Sequence, residues 1–63
     1  MMDWKKLVEA LMQLGMSQSA IGRQVGMSTS WVRGIVIGKI KTVSWESGEA
    51  LRKLERKMNR QKR

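Results

Sequence analysis

The sequence predicts an all-α protein, a small bundle of about four helices. Leu, Met, Lys and Arg, which favour helices, are common, while proline, phenylalanine and tyrosine are absent. Apolar residues recur at helical spacing in successive segments. Glycine stands at the end of each of the first three segments, where it allows the chain to turn. Aspartate or serine stands where each segment begins, as helix caps do.

The length of the chain sets its organisation. With 63 residues it can form one domain at most, and a domain this small buries only about 60% of its unfolded surface. We assign residues 1–58 to one domain and residues 59–63 to a basic tail.

The first helix is predicted to begin after Asp3 and to end before Gly15. Its apolar residues form a single stripe at helical spacing. The members of that stripe are Leu7, Val8, Leu11 and Leu14. Trp4 flanks the stripe, and we expect it at the edge of the core.

The stretch 18–38 predicts two short helices joined by a tight turn at Gly26. Gly22 leaves room for another backbone to approach, and Ser17 and Ser28 can cap the two helices. Apolar residues of both helices can close over one small core. They are Ile21, Val25, Val32, Ile35 and Val36.

This stretch is similar to the helix-turn-helix of lambdoid phage repressors and Cro proteins, which it matches without a gap. The matching residues are Gln18, Ile21, Gly22 as a small residue, Val25-Gly26-Met27, Val32, Ile35 and Gly38. It departs from the family at Gly22, where alanine is usual, and at Trp31, which is bulkier than the usual residue. The resemblance implies a lambda-repressor-like DNA-binding domain. The alternative is an ordinary hairpin of two helices, which occurs in many small helical proteins.

Three residues are candidates for reading DNA bases. Thr29, Ser30 and Arg33 share the outward face of the second short helix. Arginine can donate to O6 and N7 of guanine together, and hydroxyl and methyl groups can meet several base edges. The alternative is an ordinary polar face in water.

A further set of residues is predicted to contact the DNA backbone. The set is Gln18, Arg23, Ser28, Trp31, Lys39 and Lys41. In the family that the stretch resembles, a glutamine at the position of Gln18 bonds a phosphate. Trp31 can pack on the sugar-phosphate wall or a thymine methyl, or it can cover a seam between helices. Arg23 can reach a phosphate or stay in water, and the two lysines straddle Ile40, which we expect to turn inward.

The last helix is predicted to begin at Ser44, with Trp45 plugging the core. Its apolar stripe, which should pack back on the first helix, is Ala50, Leu51, Leu54 and Met58. Residues 59–63 have no apolar partner and should fray. Such a run of charge is usually a solvated face, and it can also act as a non-specific DNA arm.

The formal net charge of +8, from 13 Lys and Arg against 5 Asp and Glu, implies a polyanionic partner. DNA, RNA and an anionic membrane surface all qualify. Histidine and cysteine are absent, which removes the usual zinc ligands and the commonest general base. We expect no enzymatic activity, no metal, no cofactor and no small-molecule ligand. No apolar run is long enough to span a bilayer.

The leading hypothesis is a Cro-like transcriptional regulator, acting as a repressor by occupying operator DNA. We expect it to bind a palindromic operator as a homodimer, in the cytoplasm of a bacterial host and associated with the nucleoid. The predicted dimer surface is the loop Lys39–Val43 or the helix start near Trp45. One alternative is a weakly specific architectural or RNA-binding helical protein. The three tryptophans are scattered along the chain, which counts against single-strand binding. A membrane-active amphipathic protein is a further alternative.

Overall fold

A computed structural model describes residues 3–61 of the chain, and they form an all-α bundle without strands. The four helices are α1 (Trp4–Gln13), α2 (Gln18–Val25), α3 (Thr29–Val36) and α4 (Trp45–Gln61). The predicted fold class, a small bundle of about four helices, is confirmed at this level. Of the predicted tail, residues 59–61 continue α4, while Lys62 and Arg63 lie outside the described residues.

Each helix begins with a side chain that satisfies a free backbone amide. Four oxygens accept these hydrogen bonds: Asp3 Oδ1 from the Lys6 amide (3.2 Å), Ser17 Oγ from Ala20 (3.0 Å), Ser28 Oγ from Trp31 (3.1 Å) and Ser44 Oγ from Ser47 (3.3 Å). The first turn of a helix leaves amides without an intrahelical partner, so these bonds fix where each helix starts. The caps predicted from sequence are confirmed.

The first three helices end in the same way. After α2, Gly26 has a φ of 75°, and the Met27 amide donates to the Gly22 carbonyl at 2.8 Å. This pattern closes a helix with its chain turned sharply aside. It recurs at Gly15 after α1 and at Gly38 after α3. The links from α1 to α2 and from α2 to α3 also share the residues Gly-Met-Ser.

All four helices contribute to one hydrophobic core. Its buried members are Leu7, Val8, Leu11, Ile21, Val32, Ile35, Leu51 and Leu54. Trp4, Val25, Val36 and Met58 are partly buried against them. Leu14, predicted as part of the first apolar stripe, is the C-cap residue of α1 and is only half-buried.

Trp45 does not plug the core. Its side chain is 79% exposed, so the prediction for this residue is wrong. Trp4 takes the space at the start of α4 instead: a Cβ on Gly48 would lie 2.7 Å from Cη2 of Trp4 and 3.3 Å from Cγ2 of Val43. The side chains of Trp4 and Val43 cover the inner side of the first turn of α4. The indole of Trp45 is therefore left in solvent.

The helix packing connects α3 and α4 through α1 and α2. Each of them packs against both α3 and α4, whereas α3 and α4 make no close approach to one another within residues 3–61. The predicted packing of the last helix on the first is therefore confirmed. The outer surfaces of α3 and α4 are built on different sides of the same pair of helices.

Candidate nucleic-acid interface

The turn between α2 and α3 presses directly on α2. A Cβ built on Gly22 would lie 2.7 Å from the carbonyl oxygen of Met27 and 3.2 Å from that of Ser28. Both are backbone atoms, so no side-chain rotation relieves the contact. The close approach predicted at Gly22 is confirmed, and it brings the start of α3 against the middle of α2.

The two faces of α3 differ sharply in burial. Val32 and Ile35 are 0% and 1% exposed, and they join α3 to the core. Thr29, Ser30 and Arg33, the residues predicted to read bases, are all exposed. Since Thr29 and Arg33 are four residues apart, and Ser30 is three residues before Arg33, the three lie on one outward face.

Ile37 extends this face by one more turn. It lies four residues after Arg33, as the C-cap residue of α3, and it is 57% exposed. The sequence interpretation did not include it, although its spacing from Arg33 was a usable signal. A branched aliphatic side chain at this position can meet a thymine methyl, which is the apolar feature of the major groove.

Trp31 lies on the flank of α3. It is half-buried and packs against the core, as expected of a residue that covers a seam between helices. Its predicted contact with the DNA backbone stays a prediction, and only the exposed part of the indole is available for it.

Three other residues predicted to contact the DNA backbone lie in or next to the first or last turn of a helix. Ser28 Oγ accepts the Trp31 amide, so its own hydroxyl proton remains available to a phosphate. Gln18 is the first residue of α2 and is half-buried, while Arg23 on the same helix is exposed. Amides at a helix N-terminus attract anions, which favours phosphate at the start of α2.

The segment after α3 holds its two lysines away from the core. Ile40 packs on Gly34, where a Cβ would lie 2.7 Å from Cδ1 of Ile40. Ile40 is thereby turned inward, as predicted, and Lys39 and Lys41 on either side of it are exposed.

The charge on this part of the chain has one sign. Between Glu9 and Glu46 the sequence has no acidic residue. The same interval carries Arg23, Arg33, Lys39 and Lys41, all of them exposed. Asp3 lines one cleft with Lys5 and Lys41, so cations still exceed anions there, and an excess of cations on a surface lowers the free energy of a nearby polyanion. The candidate interface therefore suits phosphate groups.

Two of the three tryptophans line one cleft outside the candidate interface. Trp4 and Trp45 line one cleft of ≈ 360 Å³ together with Arg52 of α4. They are 41 positions apart in the sequence, and the interpretation of the tryptophans as scattered therefore does not hold for this pair. Packing of α1 against α4 brings them together.

Comparison of the chain with protein-family models, curated proteins and solved structures found no match. Within residues 3–61, no helix is both long enough and apolar enough to cross a membrane.

Proposed function

We propose that α2, the turn at Gly26 and α3 form a helix-turn-helix that binds double-stranded DNA sequence-specifically. The observation that carries this proposal is the division of α3 between a fully buried face and an exposed polar one. Val32 and Ile35 anchor the helix, while Thr29, Ser30 and Arg33 point to solvent from a segment without acidic residues. A helix held in this way can enter the major groove.

Each part of the surface has a role in this proposal. Arg33 donates to O6 and N7 of guanine, and the hydroxyls of Thr29 and Ser30 meet neighbouring base edges. Ile37 adds an apolar contact to a thymine methyl. The remaining side chains hold the phosphates on either side and set the register without reading sequence. They are Gln18, Arg23, Ser28, Trp31, Lys39 and Lys41.

The biological role that fits this activity is a Cro-like repressor. The protein would occupy operator DNA in the cytoplasm of a bacterial host, and its concentration would set the response. A homodimer on a palindrome would place two α3 helices in successive major grooves, roughly 34 Å apart. In the predicted dimer surface, Ile40 and Val43 are partly buried against the core while Trp45 is 79% exposed, so Trp45 offers most of the apolar area there.

The experiment that tests sequence specificity is selection of bound duplexes from a random pool. We expect one enriched half-site, repeated about a two-fold axis. A pool that stays random after several rounds would contradict specific binding and would favour the weakly specific architectural alternative. A parallel pool of RNA separates the RNA-binding alternative, which predicts stronger retention of RNA than of DNA.

Titration of the selected palindrome and of its isolated half-site tests the dimer. We expect two protomers per palindrome by native mass spectrometry. We also expect cooperative binding, because the charge of +8 keeps free copies apart, whereas DNA neutralises this charge and places the two copies side by side. A one-to-one complex of equal affinity on both DNAs would overturn the dimer and leave the binding proposal intact.

A further inference from the structure

The solvent-facing side of α4 carries a dense group of cations. Arg52, Lys53, Arg56, Lys57 and Arg60 are all exposed, and we call them the α4 basic surface. They form two rows, one at positions 52, 56 and 60 and the other at 53 and 57. Members of a row are one helical turn apart, about 6 Å along the axis. From Arg52 to Arg60 the single acidic residue is Glu55, which is half-buried.

This arrangement is unfavourable for the isolated helix. Like charges four residues apart repel one another on a helix surface, and the two rows contain three such pairs, which Glu49, four residues before Lys53, offsets only at the start of the rows. The repulsion is relieved when an external polyanion neutralises the rows. A duplex, which carries one phosphate per about 1.7 Å of its axis, offers enough charge along the length of both rows.

A membrane surface fits the α4 basic surface less well. A helix that lies in a bilayer interface inserts an apolar face beside its cations. The apolar face of α4, with Leu51 and Leu54, is already buried in the protein core. A soluble polyanion needs no such face, so the observations favour nucleic acid.

The α4 basic surface is separated from the exposed face of α3 by α2. Gly22 of α2 touches the turn that leads into α3, whereas Gln24 lines a surface cleft with Lys53 and Lys57. Two residues along a helix correspond to a rotation of about 200°, so these contacts are on opposite sides of α2. A duplex held against α3 leaves the α4 basic surface open.

We propose that the α4 basic surface binds the phosphate backbone of a second DNA duplex, so that one protomer joins two duplexes. This inference rests on the proposed function for the first duplex and adds an activity to it. Contacts with phosphate alone carry no sequence information, so the second duplex is bound whatever its sequence.

Capture of one duplex by another tests the proposal. A duplex with the selected site is immobilised and loaded with the full-length protein, and a labelled random duplex without that site is then added. Three proteins are compared: wild type, the double variant R52Q/R56Q, and K5Q/K6Q. Each double variant removes two exposed cations from a helix and lowers the net charge from +8 to about +6. Glutamine is a good helix former, and loss of like-charge repulsion leaves α4 folded.

We expect wild type and K5Q/K6Q to capture the random duplex, and R52Q/R56Q to lose most of this capture. The log–log slope of capture against salt should fall by about 1.8 in R52Q/R56Q, for two lost phosphate contacts. Binding of the immobilised site should keep its sequence preference in all three proteins.

Several outcomes would overturn the proposal. If the wild-type protein fails to capture the random duplex, or if all three proteins capture it equally, the α4 basic surface does not bind a second duplex. The same fall in slope for binding of a single duplex shows that α4 and α3 hold one DNA together. Stronger capture of labelled RNA, single-stranded DNA or vesicles with anionic lipid shows another partner. If sequence preference is missing in wild type while R52Q/R56Q alone loses capture, the proposed function fails and the second surface stands.

Discussion

The carbonyl oxygen of Met27 lies 2.7 Å from the point where a Cβ on Gly22 would stand. The same turn is closed by the Met27 amide, which donates to the Gly22 carbonyl at 2.8 Å. One backbone hydrogen bond and one close approach of backbone therefore join Gly22 and Met27 across the turn. The path from α2 into α3 depends on the missing side chain of Gly22.

Replacing Gly22 by alanine should lower the free energy of unfolding. Alanine improves helix propensity by about 1 kcal/mol, but overpacking against fixed backbone typically costs about 1–3 kcal/mol. Since the two nearest atoms are carbonyl oxygens of the turn, we expect the loss to exceed the gain. Denaturant melts of Gly22→Ala measure the difference, with Ser19→Ala on the exposed side of α2 as the control. A more stable Gly22→Ala would show that the turn can move aside.

Buried and exposed aliphatic side chains should respond differently to truncation. Ile35→Ala or Leu54→Ala should each cost about 2–5 kcal/mol, enough to unfold much of a domain this small at ambient temperature. Ile37→Ala removes the same number and kind of atoms as Ile35→Ala. Because the Ile37 side chain is 57% exposed, its truncation should change the free energy of unfolding far less. Thermal melts decide this. Similar melts for Ile35→Ala and Ile37→Ala would mean that the faces of α3 are misassigned.

Ser28 is predicted to serve both the fold and a phosphate, whereas Ser30 is predicted to serve DNA contact alone. Ser28→Ala removes the acceptor of the Trp31 amide and should cost about 1 kcal/mol of stability, the usual loss for a helix cap. Ser30 is exposed within α3, and Ser30→Ala should leave stability within about 0.5 kcal/mol while weakening binding to the selected site. Calorimetric melts and binding titrations on both variants check this, and a larger stability loss for Ser30→Ala would contradict it.

Arg33→Ala should relax sequence preference more than it lowers general affinity for DNA. Loss of one good base contact costs about 1–3 kcal/mol on the selected site and little on random duplex. Arg23→Ala is the matched control, because its predicted partner is a phosphate and its loss should weaken both DNAs alike. Equal losses on both DNAs for Arg33→Ala would place Arg33 on a phosphate.

The sequence by itself determined the features that depend on neighbouring residues. Asp3, Ser17 and Ser28 start helices because their side chains reach amides three residues ahead. Gly26 ends α2 because it adopts a positive φ without steric cost. The apolar stripes followed from helical spacing, so all the buried core residues that the structure describes, Leu11 and Ile21 among them, were predicted. The exposed face of Thr29, Ser30 and Arg33 followed from the same spacing.

Only the tertiary structure decided which of several apolar side chains fills a given space. The sequence predicted Trp4 at the edge of the core and Trp45 in the space at the start of α4, and nothing in their order along the chain shows that Trp4 takes that space. Trp4 lies on a helix that packs across Gly48, so it occupies the inner side and Trp45 is left in solvent. The separation of α3 from the cations of α4 depends likewise on packing, because within residues 3–61 both helices pack on α1 and α2 and not closely on one another. Such outcomes depend on close packing between segments far apart in the chain, where two side chains cannot share one volume.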